Sequence, residues 1–171
     1  MKIPNSLIKL IPFDQFTVQT QESLGRVRQR LNAQIEPVKI FRNPWSDNHL
    51  LYEGKLSDQG FDINRIIHNR NSFLPRIQGR FDQLPDKGTA IYITLSYCPS
   101  VRWFIGLWSS SWFALFLLGA LFGDLSWQEA LMFFAVPLLG LLMFSGYFWM
   151  EARRDRREIS SVILGTYSNP V

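Results

Sequence analysis

The sequence predicts an α+β chain: a cytoplasmic antiparallel sheet with one covering helix and a C-terminal helix, plus a two-helix transmembrane hairpin inserted before that last helix. Three observations lead there. Residues 103–122 and 130–150 are two apolar runs without a single Asp, Glu, Lys, Arg or His, joined by the short polar link 123–129. About 20 helical residues cover the roughly 30 Å hydrocarbon core of a bilayer. Ahead of them, residues 50–97 alternate apolar and polar side chains in four short segments, the mark of a sheet with one buried and one wet face. The soluble alternative, in which both apolar helices are core, fails on size: about 100 residues precede them and about 20 follow.

The division follows: 1–100 a cytoplasmic α+β domain, 101–150 the hairpin, 151–171 a cytoplasmic helix and tail. Orientation rests on flanking charge. The link carries Asp124 and Glu129 and no base, whereas Arg102 precedes the first span and Arg153, Arg154, Arg156 and Arg157 follow the second. Basic ends stay in the cytoplasm, so both termini are expected there. Trp103, Trp108, Trp127, Tyr147 and Trp149 mostly fall near the span ends, where amphipathic rings favour the headgroup layer.

In chain order, residues 1–12 hold Lys2 and Lys9 but no continuous apolar core and no small-residue cleavage site, which predicts a leader lying across the domain rather than a signal peptide. Residues 16–20 alternate as a strand. A helix follows over 21–35, with Leu24, Val27, Leu31 and Ile35 on one stripe and Thr20 as N-cap. Pro37 stops it. Residues 38–41 read as a second strand and 43–48 as turn chemistry. Two hairpins come next, 50–56 with 60–67 and 75–81 with 89–97. Ile77, Gly79 and Phe81 share one face and Arg76, Gln78 and Arg80 the other, while Ile91, Ile93, Leu95 and Tyr97 line up together. Pro99 breaks the last strand with no flexible linker before the first span. Beyond the second span, 151–164 continues as a helix with an Ala152, Ile159, Val162, Ile163 stripe that is expected to fold back on the domain or lie along its edge. Gly165 is its terminator, and Pro137 predicts a kink within the second span.

The segment Arg70-Asn71-Ser72-Phe73-Leu74-Pro75, continuing through Ile77, Gly79 and Phe81 and followed by a proline just before two spans, resembles uncharacterised two-span membrane proteins of bacteria, photosynthetic ones especially. The resemblance implies architecture and a bacterial plasma membrane, or a thylakoid in a photosynthetic host; it implies no activity.

Catalytic chemistry is sparse in the sequence. The lone Cys98 forms no internal disulfide or thiolate metal site, and His49 and His68 have no partner at ligand spacing. Phosphate-cradling and nucleophile-elbow motifs are absent from the sequence. Neither an enzyme nor a cofactor is expected. Arg65, His68, Arg70, Asn71, Arg76 and Arg80 form a candidate anion or partner face, where guanidinium groups fork onto phosphate, a headgroup or an acidic partner. Against this stands a plain solvated loop and the wet face of an edge strand, which carries more weight. Residues 1–100 hold 13 basic and 9 acidic side chains, the whole of the net charge of +4. That suits anionic lipid and, with no aromatic-basic motif, disfavours nucleic acid. The four arginines 153, 154, 156 and 157 interleave with Glu151, Asp155 and Glu158, which favours a salt-laced helix and topology signal over a lipid patch. Gly106, Ser110 and Ala114 form a candidate helix-packing stripe, expected to receive the second span; its alternative is docking onto a larger membrane protein or a second copy.

With no ionisable residue in the spans, a channel or carrier is disfavoured. The leading expectation is a non-catalytic interaction or assembly factor, held in the lipid bilayer and contacting a larger membrane complex or a second copy. The alternative is a membrane-anchored lipid- or small-ligand-binding domain of helix-grip or pleckstrin-homology-like form.

Overall fold

A computed structural model describes residues 11–38, 49–67, 73–85, 88–123 and 126–167. The strands are β1 (Phe13–Thr20), β2 (Ile35–Glu36), β3 (Tyr52–Leu56), β4 (Gly60–Arg65), β5 (Arg76–Gln83) and β6 (Thr89–Ser96); the helices are α1 (Leu24–Gln34), α2 (Pro99–Phe122) and α3 (Trp127–Leu164). They form an α+β fold with a six-stranded sheet in the order β1-β6-β5-β4-β3-β2. Every pairing is antiparallel except the two-residue parallel contact of β2 with β3, so the sheet is mixed rather than purely antiparallel. The short parallel strand arises because α1 runs straight into Ile35–Glu36 and carries the chain back along β3. Expected strand 38–41 lies mostly outside the described residues, and Val38 itself is not in a strand.

Alternation sets which face is buried. Phe61, Ile63, Ile77, Ile91, Ile93 and Leu95 project to one side and are closed over by Val27 and Leu31 of α1 and by Phe148, Ala152, Ile159, Val162 and Ile163 of α3. Gly79 makes room for this packing: a Cβ there would stand 2.2 Å from the ring of Phe61 on the neighbouring strand. Helix α1 begins three residues later than the spacing suggests. Ser23 stands at its N-cap, while Thr20 ends β1 and its hydroxyl accepts from the Glu22 N–H at 3.3 Å.

The main departure from expectation is α3. The second apolar run and the C-terminal helix are one uninterrupted element of 38 residues, passing through Pro137 without a break. At 1.5 Å per residue it is about 57 Å long, nearly twice a bilayer core. The hairpin is therefore not inserted ahead of a separate helix; its second arm is that helix, and it lies on the buried face of the sheet rather than along an edge. A capping box at Ser126 and Glu129 starts it, with the Ser126 hydroxyl accepting from the Glu129 N–H at 3.4 Å. Gly165 ends it in the left-handed conformation, φ 73°, and Arg30 of α1 donates to the Ile163 carbonyl at 2.7 Å, a cation on the negative helix terminus.

Helices α2 and α3 are both long and apolar enough to cross a membrane. Their outward side chains are not enclosed by the rest of the protein: Leu121 and Phe122 are 73% and 84% exposed. The helices meet along an aromatic seam. Trp108 packs into the notch at Gly140 and against Phe144 at 5.7 Å, Trp112 meets Phe133, and Phe116 meets Phe134 at 4.9 Å.

Candidate functional site

The residues with the most unusual surroundings lie where α3 leaves the apolar stretch and lands on the sheet. Ser145, Phe148, Ala152, Asp155, Ile159 and Val162 recur at spacings of three and four, which places them on one face, and all are buried. Five of these positions carry small or apolar groups that suit a sheet. Asp155 does not, and it is 0% exposed.

Its partner is Arg65, the last residue of β4, which points to the same inner face as Phe61 and Ile63 and is 6% exposed. Arg65 donates through Nη2 to Glu151. Its Nη1 lies 3.3 Å from Asp155 Oδ1 and 3.8 Å from Glu158 Oε2. Tyr52, directly across on β3 and fully buried, completes the cluster. One guanidinium thus faces three carboxylates spaced along two turns of α3. No hydrogen bond from a described residue reaches the Asp155 carboxyl oxygens, Arg65 Nε and Nη1, or the Tyr52 hydroxyl. Burial raises the Asp155 carboxyl to about 7, with Arg65 opposing and Glu158 and Glu151 adding to the rise. Burial likewise pushes the Tyr52 phenol well above its ordinary value, with help from Glu158 and Asp155.

An aromatic collar sits on the side of this cluster toward the apolar hairpin. Tyr97 donates to the Phe144 carbonyl at 2.7 Å and meets Phe148 edge-on at 5.1 Å, while Phe73 stacks on Phe144 at 5.4 Å. Phe73 and the neighbouring Leu74, Ile77, Gly79 and Phe81 all lie within residues 73–81. In this structure they serve the collar and the core.

The structure divides the expected anion face. Arg65 is turned inward, whereas Arg76 and Arg80 project from the opposite, wet face, on a strand interior to the sheet rather than at its edge. Arg76 Nε donates to Asp62 Oδ1 at 2.6 Å and Nη2 to the other oxygen, a bidentate pair that holds the Asp62 carboxyl below its usual range. Arg80 lies over the Tyr92 ring at 5.7 Å. His68, Arg70 and Asn71 lie outside the described residues. His49 stands 4.0 Å from Glu36 beside β2, and Cys98 is the half-buried residue that caps α2. Among the described residues no group of three His, Cys, Asp or Glu side chains is arranged to hold a metal ion.

The small-residue stripe also differs from expectation. The second span packs on the Trp108, Trp112, Phe116 ridge instead, and Gly140 leaves the room that the Trp108 ring fills, since a Cβ there would stand 2.1 Å from it. Gly106, Ser110 and Ala114 are exposed, and a Cβ at Gly106 would meet nothing within 4 Å. Ser110 turns its hydroxyl back onto the Gly106 carbonyl.

No family model, curated protein or solved structure matches this chain.

Proposed function

We propose that the protein is an integral membrane, non-catalytic interaction or assembly factor that presents its α+β domain at the membrane surface, with both termini cytoplasmic. The carrying observation is the outward stripe Gly106, Ser110, Ala114: the hairpin's own seam leaves it open, and small residues are where helices approach closely in lipid. The partner is a larger membrane protein or a second copy. Two further features support this reading. The exposed apolar faces of α2 and α3 need lipid or protein around them. The continuous α3, clamped to the sheet at Arg65, lets a contact in the membrane fix the attitude of the domain above it. A ligand-enclosing domain is less well supported, because the inner sheet face is filled by α1 and α3 side chains.

The test is cross-linking in native membranes with Ala114→Cys in a Cys98→Ser background, with Leu121→Cys as the comparison site. Ala114→Cys should trap a defined partner or a dimer, and adding Gly106→Ile should abolish the product. Equal, diffuse labelling from both cysteines would count against the stripe as a contact.

A further inference from the structure

The outward stripe of α3 changes chemistry at one point. Met143, Gly146 and Met150 are exposed at spacings of three and four, and the next positions on the same stripe are Arg153 and Arg157, also exposed. The four arginines here do not behave alike. Arg154 donates to Glu158 at 2.8 Å, and Arg156 lies over the Phe16 ring at 4.6 Å and 3.7 Å from Asp14. Those two are used within the protein. The side chains of Arg153 and Arg157 make no ion pair or hydrogen bond with any described residue, and nor does that of Arg102 in the first turn of α2 at the same end of the hairpin. Beside Arg102, Trp103 is 72% exposed.

The geometry points to a binding site for anionic phospholipid headgroups formed by Arg153 and Arg157, with Arg102 at the other helix. Arg153 stands about 4.5 Å and Arg157 about 10 Å along the helix beyond Met150. The headgroup layer of one leaflet is about 5–7 Å deep, and arginine stems reach several ångströms back along an apolar surface. Both guanidinium groups therefore meet phosphate oxygens, which they bind in forked, charge-assisted pairs. A lipid fits better than a soluble acidic protein because the stripe is continuous: the groups below Arg153 are the ones that face acyl chains. Met150, exposed beneath the arginines, makes this stripe amphipathic, and Trp103 beside Arg102 is a ring of the kind that favours the headgroup layer.

This inference rests on the membrane reading, and the experiment separates the two. The full chain is reconstituted into nanodiscs of equal phosphatidylcholine and phosphatidylglycerol, and the lipids retained on release are weighed by native mass spectrometry. The wild type should keep phosphatidylglycerol in preference. Arg153→Gln/Arg157→Gln should lose on the order of tenfold in that preference, since each surface-adjacent base contributes a similar electrostatic increment. Arg26→Gln/Arg28→Gln, with the same change of charge but on α1, should keep it. Retention in proportion to the mixture, or an unchanged preference in the 153/157 variant, overturns the site. Displacement of the lipid by added inorganic phosphate assigns the arginines to a soluble anion and overturns it too, as does loss of preference in the α1 variant. A chain that does not enter nanodiscs of either composition fails the membrane reading instead.

Discussion

Arg65 and Asp155 are an expensive pair to bury, and the expense explains what their removal should do. An arginine taken from a buried cluster leaves uncompensated carboxylate charge, which costs about 3–5 kcal/mol, whereas replacing both partners by apolar groups is often neutral. Arg65→Ala should therefore lower the thermal midpoint of the domain sharply, and Arg65→Met combined with Asp155→Leu should recover most of the loss; a double variant as weak as the single one would contradict the pairing. Asp155 also confers a pH dependence. Its carboxyl is raised from 3.8 to about 7 in the folded protein, facing Arg65 on β4, Tyr52 on β3, and Glu151, Arg154 and Glu158 on its own helix. Between those values the folded state holds a proton that the unfolded state has released, so stability should fall as pH rises from about 4 to 7 and level off above. Asp155→Asn, which mimics the protonated form, should flatten that slope in thermal unfolding from pH 5 to 8. A slope of the same size in the variant would assign it elsewhere. The sequence held the clue to this site. Position 155 falls between Ala152 and Ile159 on a stripe that is otherwise apolar, and a charge in that place implies a buried counter-ion. What spacing alone does not show is that the counter-ion comes from the end of β4, 90 residues earlier, because Arg65 reads as one more polar residue beside His68 and Arg70.

At the scale of elements, α3 governs the design. Its apolar run tells where lipid would be and its Ala152, Ile159, Val162, Ile163 stripe tells where the sheet would be; nothing between them breaks the helix, so the two parts form one rod. A single alanine inserted between Met150 and Glu151 should rotate everything beyond it by 100°. Asp155 and Ile159 would then leave the sheet, and amide protection in β4 and β6 should drop while the hairpin stays protected. Unchanged protection would mean that α3 is hinged at that point. The rod's other end depends on its cap: Ser126→Ala should cost about 1 kcal/mol of helix stability. The S-x-x-E pattern at Ser126–Glu129 was legible, yet a polar link reads first as a loop. Strand β1 and the four hairpin strands β3 to β6, with the inner and outer faces of β5 and β6, follow from alternation. The parallel pairing of β2 was not readable, since two residues hold no period and their register depends on where α1 delivers the chain. The outward position of Gly106 was equally hidden, because small residues mark a close contact without saying which neighbour makes it.

At the scale of the whole molecule, a sheet is fixed to a membrane-length hairpin through one shared helix, an aromatic collar and a buried ion cluster. In the proposed membrane setting such a body would hold its domain at a set height and attitude, which suits the proposed factor that positions partners at a bilayer surface. Everything in that picture requires α2 and α3 to cross the bilayer and return. The direct measurement is labelling of single cysteines by a membrane-impermeant maleimide in sealed, oriented vesicles, using Asp58→Cys, Gln128→Cys and Leu164→Cys in a Cys98→Ser background. Positions 58 and 164 are expected to react together from the cytoplasmic side and position 128 only from the other. Reaction of all three from the same side would contradict the spanning hairpin.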